Sequence, residues 1–203
     1  MKRKFPYAFC LLLTALLLPS CSGEKKDVQA YLDEAFRLFQ ERHEDTAAIA
    51  GLLSKGLAEH PDSLPLLQSR ASLYCNRGMP QECRADARRM LELKPDHTEA
   101  RMMLCLLDEF EDVAGRNDHA CYQGVADIYA ARPPAASPEA ETANTLNYVF
   151  ALLMARNPDA EKEKNAFLEK MGSDPNAELY RSILNDFDRQ RIFREVFGQG
   201  TWK

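Results

Sequence analysis

The sequence predicts an all-α fold with about nine helices, the last of which caps the C-terminal end. Glycine accounts for only nine of the 203 residues, and β-branched residues are few beside Ala, Leu, Glu and Arg, which favour helix. Apolar residues recur three and four positions apart, the spacing of one helix face. Four proline pairs mark where helices begin or end: Pro61-Asp62, Pro95-Asp96, Asn157-Pro158 and Asp174-Pro175.

The N-terminal 20 residues have the pattern of an export signal. A basic start, Lys2 to Lys4, precedes an apolar run from Phe5 to Leu18. At 14 residues, the run is shorter than the roughly 20 that a membrane-spanning helix needs. We therefore interpret residues 1–20 as a signal peptide that is removed from the mature protein.

The end of this segment, Leu18-Pro19-Ser20-Cys21, resembles the lipobox of bacterial lipoproteins, in which a small residue precedes an invariant cysteine. The resemblance implies that Cys21 becomes the mature N-terminus and carries lipid, with acyl chains such as palmitate, and that residues 21–27 form a lipidated tether. Ser22 stands where an aspartate would favour inner-membrane retention, which implies the outer membrane, facing the periplasm. The alternative is a simply cleaved signal with a chance cysteine.

The mature part of the chain is acidic. Loss of three basic residues with the signal leaves 23 Lys and Arg against 31 Asp and Glu, and the net charge falls from −5 to −8. An acidic chain without a basic stripe argues against nucleic acid as a partner. It also argues against electrostatic attachment to anionic lipid, so the lipid anchor itself would hold the protein to the membrane.

Two amphipathic helices are expected after the tether. The first covers Val28 to Arg42, with an apolar stripe made of Val28, Tyr31, Leu32, Ala35, Phe36 and Phe39. The second covers Thr46 to Glu59, and its buried face is made of Ala48, Leu52, Leu53 and Leu57. Both follow the helical period, and Pro61 closes the pair.

Residues 62–95 form the clearest hairpin of the sequence. Gly78 lies just past its first helix, where a left-handed residue is favoured. Pro80 lies in the first turn of the second helix, and Pro95 ends that helix. Residues spaced by four and three share one face of each helix. These inward positions are Leu67, Ala71 and Tyr74 on the first helix and Cys83, Ala87 and Met90 on the second.

This hairpin resembles one tetratricopeptide repeat (TPR), a pair of helices of about 34 residues. Two positions depart from the pattern, because Leu67 replaces the usual large aromatic residue and Arg70 occupies a normally apolar position. A generic helical hairpin is the alternative. The resemblance implies that residues 28–197 form a TPR-like α-solenoid, since one hairpin cannot bury its apolar face alone. It also implies that Tyr74 is buried between hairpins. Residues 198–203, which follow the last expected helix, are predicted to be a tail.

Further start signals follow this hairpin. Asp96 and Glu99 resemble a capping box, and Ser137-Pro138 supplies a cap residue with proline in the first turn. The last helix is expected from about Asn176 to Phe197, with a charged outer face that suits the terminal cap of a solenoid.

The mature chain has four cysteines besides Cys21, and an even number in an oxidising compartment predicts two disulfides. In the register of the repeat, Cys105 and Cys121 occupy facing small-residue positions, which implies that they pair. Cys75 and Cys83 would then pair across the Gly78 turn, although Cys75 falls on a groove-facing position. The rival pairing is Cys83 with Cys105, and the alternative is four free cysteines buried as small apolar residues.

The sequence carries no recognisable catalytic motif: it has no His-Glu-x-x-His, nucleophile elbow or glycine-rich phosphate loop. His119 and Cys121 are near neighbours, but two ligands do not make a zinc site. The acidic run from Asp108 to Asp112 indicates a solvated helix end, or a place for a basic partner. We expect neither an enzyme nor a bound cofactor or metal.

The resemblance implies a binding protein whose concave groove, lined by the first helix of each hairpin, holds a peptide or a partner helix. The expected groove positions are Gln68, Ser72, Asn76, Met102, Leu106, Glu109, Tyr148 and Leu152; the methionine and leucines could equally be core. The predicted function is a periplasmic, membrane-anchored scaffold or assembly factor for the cell envelope. The alternative is an immunity lipoprotein that neutralises a secreted toxic effector.

Overall fold

A computed structural model of the chain describes residues 26–42, 45–111, 118–189, 191–192 and 196. Within these ranges the protein is all-helical, with no strand, and contains nine helices, as the sequence predicts. They are α1 (Val28–Glu41), α2 (Thr46–Glu59), α3 (Leu64–Asn76), α4 (Pro80–Leu93), α5 (Thr98–Phe110), α6 (Asp118–Ala130), α7 (Pro138–Met154), α8 (Ala160–Lys170) and α9 (Ala177–Asn185). Cys21 and the rest of the predicted signal and tether up to residue 25 lie outside the described residues, as does the predicted tail.

Each helix packs against the next one along the chain, and α1 also packs against α3. The main apolar core runs through α1 to α7, and its largest fully buried side chains include Tyr31, Leu53, Met90 and Tyr122. A smaller cluster joins α7, α8 and α9 through Val149, Phe167 and Leu184. Neighbouring helices therefore bury one another's apolar faces in chain order.

The α3–α4 hairpin follows the local signals of the sequence. Ser63 caps α3, since its hydroxyl accepts a hydrogen bond from the Leu66 N–H. Gly78 has a φ of 73°, which confirms the left-handed cap. Pro80 begins α4, and α4 ends at Leu93, before Pro95. The small and apolar inward positions of the hairpin are buried: Leu67, Ala71, Cys83, Ala87 and Met90.

Tyr74 is only partly buried, so the expectation of a buried aromatic at this position is wrong. Its ring packs at the edge of the core, with the Arg70 guanidinium 5.9 Å from the ring centroid. Fully buried tyrosines lie elsewhere in the core, Tyr31 in α1 and Tyr122 in α6, each 1% exposed or less. The aromatic position of the repeat therefore stays at the surface edge of this hairpin.

The repeat pattern favours an apolar residue at position 70, but the charged Arg70 side chain has hydrogen-bond partners within the α2–α4 region. Its Nε and Nη2 atoms donate to the two carboxylate oxygens of Asp86 at 2.8 and 2.6 Å, and Nη1 donates to the Ser54 hydroxyl at 2.8 Å. These hydrogen bonds to Asp86 raise the pKa of Arg70 above its usual value. One side chain thereby joins α2, α3 and α4.

Both disulfides have the predicted partners. Cys75 and Cys83 join the end of α3 to the start of α4 with their Cα atoms 5.4 Å apart. Cys105 and Cys121 join α5 to α6 with a Cα separation of 5.8 Å. Both distances fall within the usual range for a disulfide, and the rival pairing of Cys83 with Cys105 is not formed.

Two expected helix boundaries differ in the structure. The N-cap of α5 is His97, not Asp96, because the His97 Nδ1 accepts from the Ala100 N–H at 3.3 Å. The last helix, α9, ends at Asn185 instead of continuing to Phe197, so it is not the long capping helix that the sequence predicts. After α9, Phe187 packs edge-on against Phe150 of α7, with ring centroids 5.8 Å apart.

Candidate protein-binding groove

An open groove lies between α1 and α3, with α2 beneath it. Its volume is about 620 Å³. The α1 wall is made of Gln29, Leu32, Asp33, Ala35, Phe36 and Phe39, and Ile49 and Leu53 of α2 form the floor. The α3 wall is made of Pro65, Gln68, Ser69, Ser72, Leu73 and Asn76. We call this site the α1–α3 groove.

The α1 wall of the groove exposes two phenylalanines. Phe36 is 63% exposed and Phe39 is 44% exposed, and they are two of the three exposed large apolar side chains among the described residues. Single exposed apolar residues are common, but neighbouring ones that line one concavity are typical of interaction sites. The α1–α3 groove therefore presents an apolar wall that a partner could cover.

The sequence analysis placed Phe36 and Phe39 on a single apolar stripe of α1 together with Tyr31 and Ala35. The apolar residues of α1 form two adjacent stripes instead of one. Tyr31 and Ala35 face the core and are buried, whereas Leu32, Phe36 and Phe39 line the groove. The sequence does contain a signal for the second stripe, because Leu32, Phe36 and Phe39 are four and then three positions apart. Together the two stripes make the apolar face of α1 wider than one contact with the core covers.

The α3 wall of the groove carries the polar positions that the repeat resemblance implies. Gln68 and Asn76 are exposed and Ser72 is half-buried. Amide and hydroxyl side chains both donate and accept hydrogen bonds, so they suit the backbone or polar side chains of a peptide. Opposite them, the Asp33 carboxylate accepts from the Gln29 amide at 2.8 Å. Asp33 is the only charged residue among the described residues that line the groove.

The other five predicted groove positions do not line this groove. Leu106 and Leu152 are 5% and 2% exposed and belong to the core, which is the alternative that the sequence left open. Tyr148 is half-buried and packs against both apolar clusters. Met102 lines a smaller pocket of about 250 Å³ together with Leu106, Phe150 and Val196.

Glu109 already has partners within the chain. Its Oε2 atom accepts from the Tyr122 hydroxyl at 2.8 Å, and its Oε1 atom accepts from Arg189, which follows α9. The predicted groove is thus divided: the three α3 positions line an open surface, and the later positions lie in the core or beside the residues after α9.

The described residues hold no group of three or more histidine, cysteine or acidic side chains arranged to bind a metal ion. Cys121, the conceivable partner of His119, is bonded to Cys105. In the part of the chain that the structure covers, none of the helices has the length and apolar character needed to cross a bilayer.

Comparison of the chain with protein-family models, curated proteins and solved structures finds no match to any of them. The functional argument therefore depends on the groove, the helix packing and the sequence motifs.

Proposed function

We propose that this chain is a lipid-anchored protein of the bacterial cell envelope that binds a protein partner in the α1–α3 groove, acting as a scaffold or assembly factor. The observation that carries the proposal is the pair of exposed phenylalanines facing Gln68, Ser72 and Asn76 across an open concavity of about 620 Å³. This combination offers apolar area on one wall and hydrogen-bonding groups on the other.

The groove suits a peptide or a helix with one apolar face. Burying a fully exposed phenylalanine contributes roughly 1.5–3 kcal/mol. Phe36 and Phe39 are 63% and 44% exposed, so covering both supplies part of that amount for each. Helices that bind in grooves do so through apolar residues spaced by three and four. Gln68 and Asn76 at the rim would then orient the partner through hydrogen bonds.

A TPR-like solenoid is the architecture that best accounts for this groove. In support, the helices pack in chain order, α1 also contacts α3, and the α3–α4 hairpin has the small buried residues at the repeat's positions. In such an array the first helices of successive hairpins, here α1 and α3, share one surface. Gln68, Ser72 and Asn76 are the positions that the repeat assigns to that surface.

The lipid anchor at Cys21 is part of the same proposal and is supported by the sequence motif. Five residues after Cys21, the Lys26 carbonyl oxygen lies 2.7 Å from the His60 Nε2, and the Lys26 ammonium pairs with Glu34 of α1. The hydrogen bond to Lys26 lowers the pKa of Glu34. The predicted tether of residues 21–27 leads directly into the α1–α2 hairpin, so an anchored chain would present the α1–α3 groove near the membrane.

Photo-crosslinking in living cells tests the proposal. A photoreactive residue replaces Gln68 in the lipidated chain, and a matched variant carries it at Arg88, an exposed position of α4 outside the groove. We expect a discrete protein adduct from position 68, none from position 88, and loss of the adduct when Phe36→Ser and Phe39→Ser are added. Equal adducts from both positions, or an adduct that survives the phenylalanine changes, would contradict the proposed site.

The identity of the crosslinked protein separates the two roles that the sequence left open. A resident envelope complex supports the scaffold, and a single secreted toxin supports the immunity protein.

A further inference from the structure

Residues that follow α9 lie on the surface formed by α5 and α7. We call Phe187, Arg189, Ile192 and Val196 the C-terminal arm. The Phe187 ring packs edge-on against Phe150, at 5.8 Å between centroids and an interplanar angle of 74°. Ile192 and Val196 pack against the main core. The arm therefore makes apolar contacts with helices that precede it by more than 30 residues.

Arg189 makes polar contacts from the arm to α5 and α7. Its guanidinium donates to the Glu109 carboxylate and to the Met154 backbone oxygen, and its Cζ atom lies 5.6 Å from the centroid of the Tyr122 ring. The side chains of Arg189 and Glu109 are 18% and 20% exposed. A charge-assisted hydrogen bond with this little solvent access is specific as well as favourable.

The surface under the arm lies between α5 and α7 as the α1–α3 groove lies between α1 and α3, two hairpins earlier in the chain. Met102 and Leu106 lie 34 residues after Gln68 and Ser72, and Val196 of the arm meets these two residues around the pocket of about 250 Å³. The α5–α7 surface is thus a site of the same kind as the open groove, with a segment of the chain in place.

The arm fits its site incompletely. Phe187, Ile192 and Val196 are each only partly buried, and the pocket beside Val196 remains between Met102, Met103 and Phe150. In contrast, α9 has its own anchor, because Leu184 is fully buried in the α7–α9 cluster. Exposed Asp186 joins α9 to the arm, so the arm can leave its site while α9 stays docked.

We propose that the α5–α7 surface is a second docking site, that the C-terminal arm is its resident intramolecular ligand, and that a protein segment of the same chemistry displaces the arm. The displacing segment carries an aromatic residue, an arginine two positions later and an aliphatic residue seven positions beyond the arginine, as in Phe187, Arg189 and Val196. It binds the Phe150 ring, the Glu109 carboxylate and the apolar pocket. This inference rests on the proposed function in one respect: the displacing segment belongs to a protein partner.

Binding of a labelled synthetic peptide of residues 186–197 to the full mature chain tests the exchange. In Arg189→Glu the arm carries a negative charge toward Glu109 and vacates the site, so this variant should bind the peptide at least ten times more tightly than the unchanged chain. The control is Arg181→Glu, which alters an exposed pair with Glu178 in α9 and should bind like the unchanged chain. A peptide with the Arg189→Glu change should bind the Arg189→Glu chain poorly. It should instead bind a chain that carries Glu109→Arg and keeps Arg189, because the chain's own arginine is then repelled from the site and the carboxylate of the peptide is attracted to it.

Three results would overturn the inference: a folded Arg189→Glu chain that does not bind the peptide, an unchanged chain that binds it equally well, or an Arg189→Glu chain that loses cooperative unfolding. A second measurement needs no variant. The Ile192 N–H donates to the Asp188 carbonyl at 3.0 Å, and its hydrogen exchange should be at least 100-fold faster than that of the α5 and α7 amides. Equal protection would make the arm a fixed part of the core. Neither experiment involves the α1–α3 groove, so the inference can fail while the proposed function stands.

Discussion

Arg70 of α3 and Asp86 of α4 form a two-point hydrogen-bonded ion pair, at 2.8 and 2.6 Å, across the α3–α4 hairpin. The Asp86 side chain is 7% exposed and the Arg70 side chain 21%. Removing one member of such a pair leaves the other charge without a partner in a place that water barely reaches. The pair therefore makes the two helices of this hairpin interdependent.

We expect Arg70→Met to lower the free energy of unfolding by about 3–5 kcal/mol, the usual effect of breaking a buried pair. The double variant Arg70→Met with Asp86→Leu should recover most of this loss, because no buried charge is left over. Urea unfolding measures both. Arg37→Ala is the control, since its pair with Glu41 is 57% and 50% exposed and should contribute less than about 0.5 kcal/mol. A similar effect of Arg37→Ala and Arg70→Met would mean that the Asp86 carboxylate is hydrated.

Gly78 and Arg156 occupy the same place in two helix caps of the same type. After α3 the Gly78 N–H donates to the Cys75 oxygen and the Met79 N–H to the Tyr74 oxygen, at 3.2 and 2.9 Å. After α7 the corresponding bonds start from Arg156 and Asn157. Both are Schellman caps, which require a left-handed residue; φ is 73° at Gly78 and 50° at Arg156.

This equivalence predicts opposite effects of two substitutions. Gly78→Ala should destabilise the protein by about 1–2 kcal/mol, the conformational penalty of a side chain in the left-handed region. Arg156→Gly should stabilise it by about 0.5–1 kcal/mol, because relief of that penalty exceeds the added freedom of the unfolded chain. Thermal unfolding of the two variants and the unchanged chain measures both effects. A loss of stability in both variants would show that contacts of the Arg156 side chain stabilise the protein by more than the relief of its backbone conformation.

How far the sequence predicts this structure depends on how local each signal is. The α3–α4 hairpin follows from neighbouring residues, because Ser63, Gly78 and Pro80 each set the backbone where they stand. The Cys105–Cys121 pairing follows from the spacing of a repeat. In contrast, the sequence does not explain Arg70 at a normally apolar position, because its partner Asp86 lies 16 residues later and only the fold brings the two together.

The candidate binding surfaces were harder to predict for the same reason. Helical periodicity shows that Phe36 and Phe39 are apolar and on one side of α1, but whether a stripe is covered depends on helices from elsewhere in the chain. The position of the C-terminal arm depends on Phe187 meeting Phe150 and on Arg189 meeting Glu109, 80 residues apart. Nothing in the local pattern of residues 186–196 distinguishes such a contact from the continuation of α9.

The lipobox prediction is tested at Cys21, which lies outside the described residues. Cys21→Ala should abolish incorporation of a labelled fatty acid and release the protein from the membrane fraction, because the thiol is the attachment point that the motif implies. Cys10→Ala is the matched control, since it removes a cysteine from the apolar run of the signal and should leave both properties unchanged. A Cys21→Ala protein that still sediments with membranes would disprove the anchor.

The two disulfides should differ slightly in what they add to stability. Cys105–Cys121 spans 16 positions and Cys75–Cys83 spans 8. On the chain-entropy model the longer loop contributes about 3 kcal/mol, and halving the loop lowers the contribution by about 0.6 kcal/mol. Denaturant unfolding of the paired alanine variants measures each, and a larger loss for Cys75→Ala with Cys83→Ala would indicate that packing of these buried side chains outweighs loop entropy.

The disulfides should differ much more in how easily they are reduced. Thiol–disulfide exchange requires an attacking thiolate to reach one of the two sulfur atoms. Cys75 and Cys83 are 1% and 0% exposed, so both ends of that bond are enclosed between α3 and α4. Cys105 is fully buried as well, but Cys121 lies on the exposed side of α6. One end of the Cys105–Cys121 bond therefore belongs to an exposed residue, and we expect reductant to approach it from the α6 side.

We expect a limiting amount of a thiol reductant, under native conditions, to open Cys105–Cys121 first. Alkylation of the free thiols followed by peptide mass spectrometry identifies the opened pair at each time point. The chain with Cys105→Ala and Cys121→Ala serves as the control, and its remaining disulfide should stay closed under the same conditions. If Cys75–Cys83 opened first, or both bonds opened together, reduction would have to follow unfolding of the α3–α4 hairpin, and the burial of its sulfur atoms would not protect that bond.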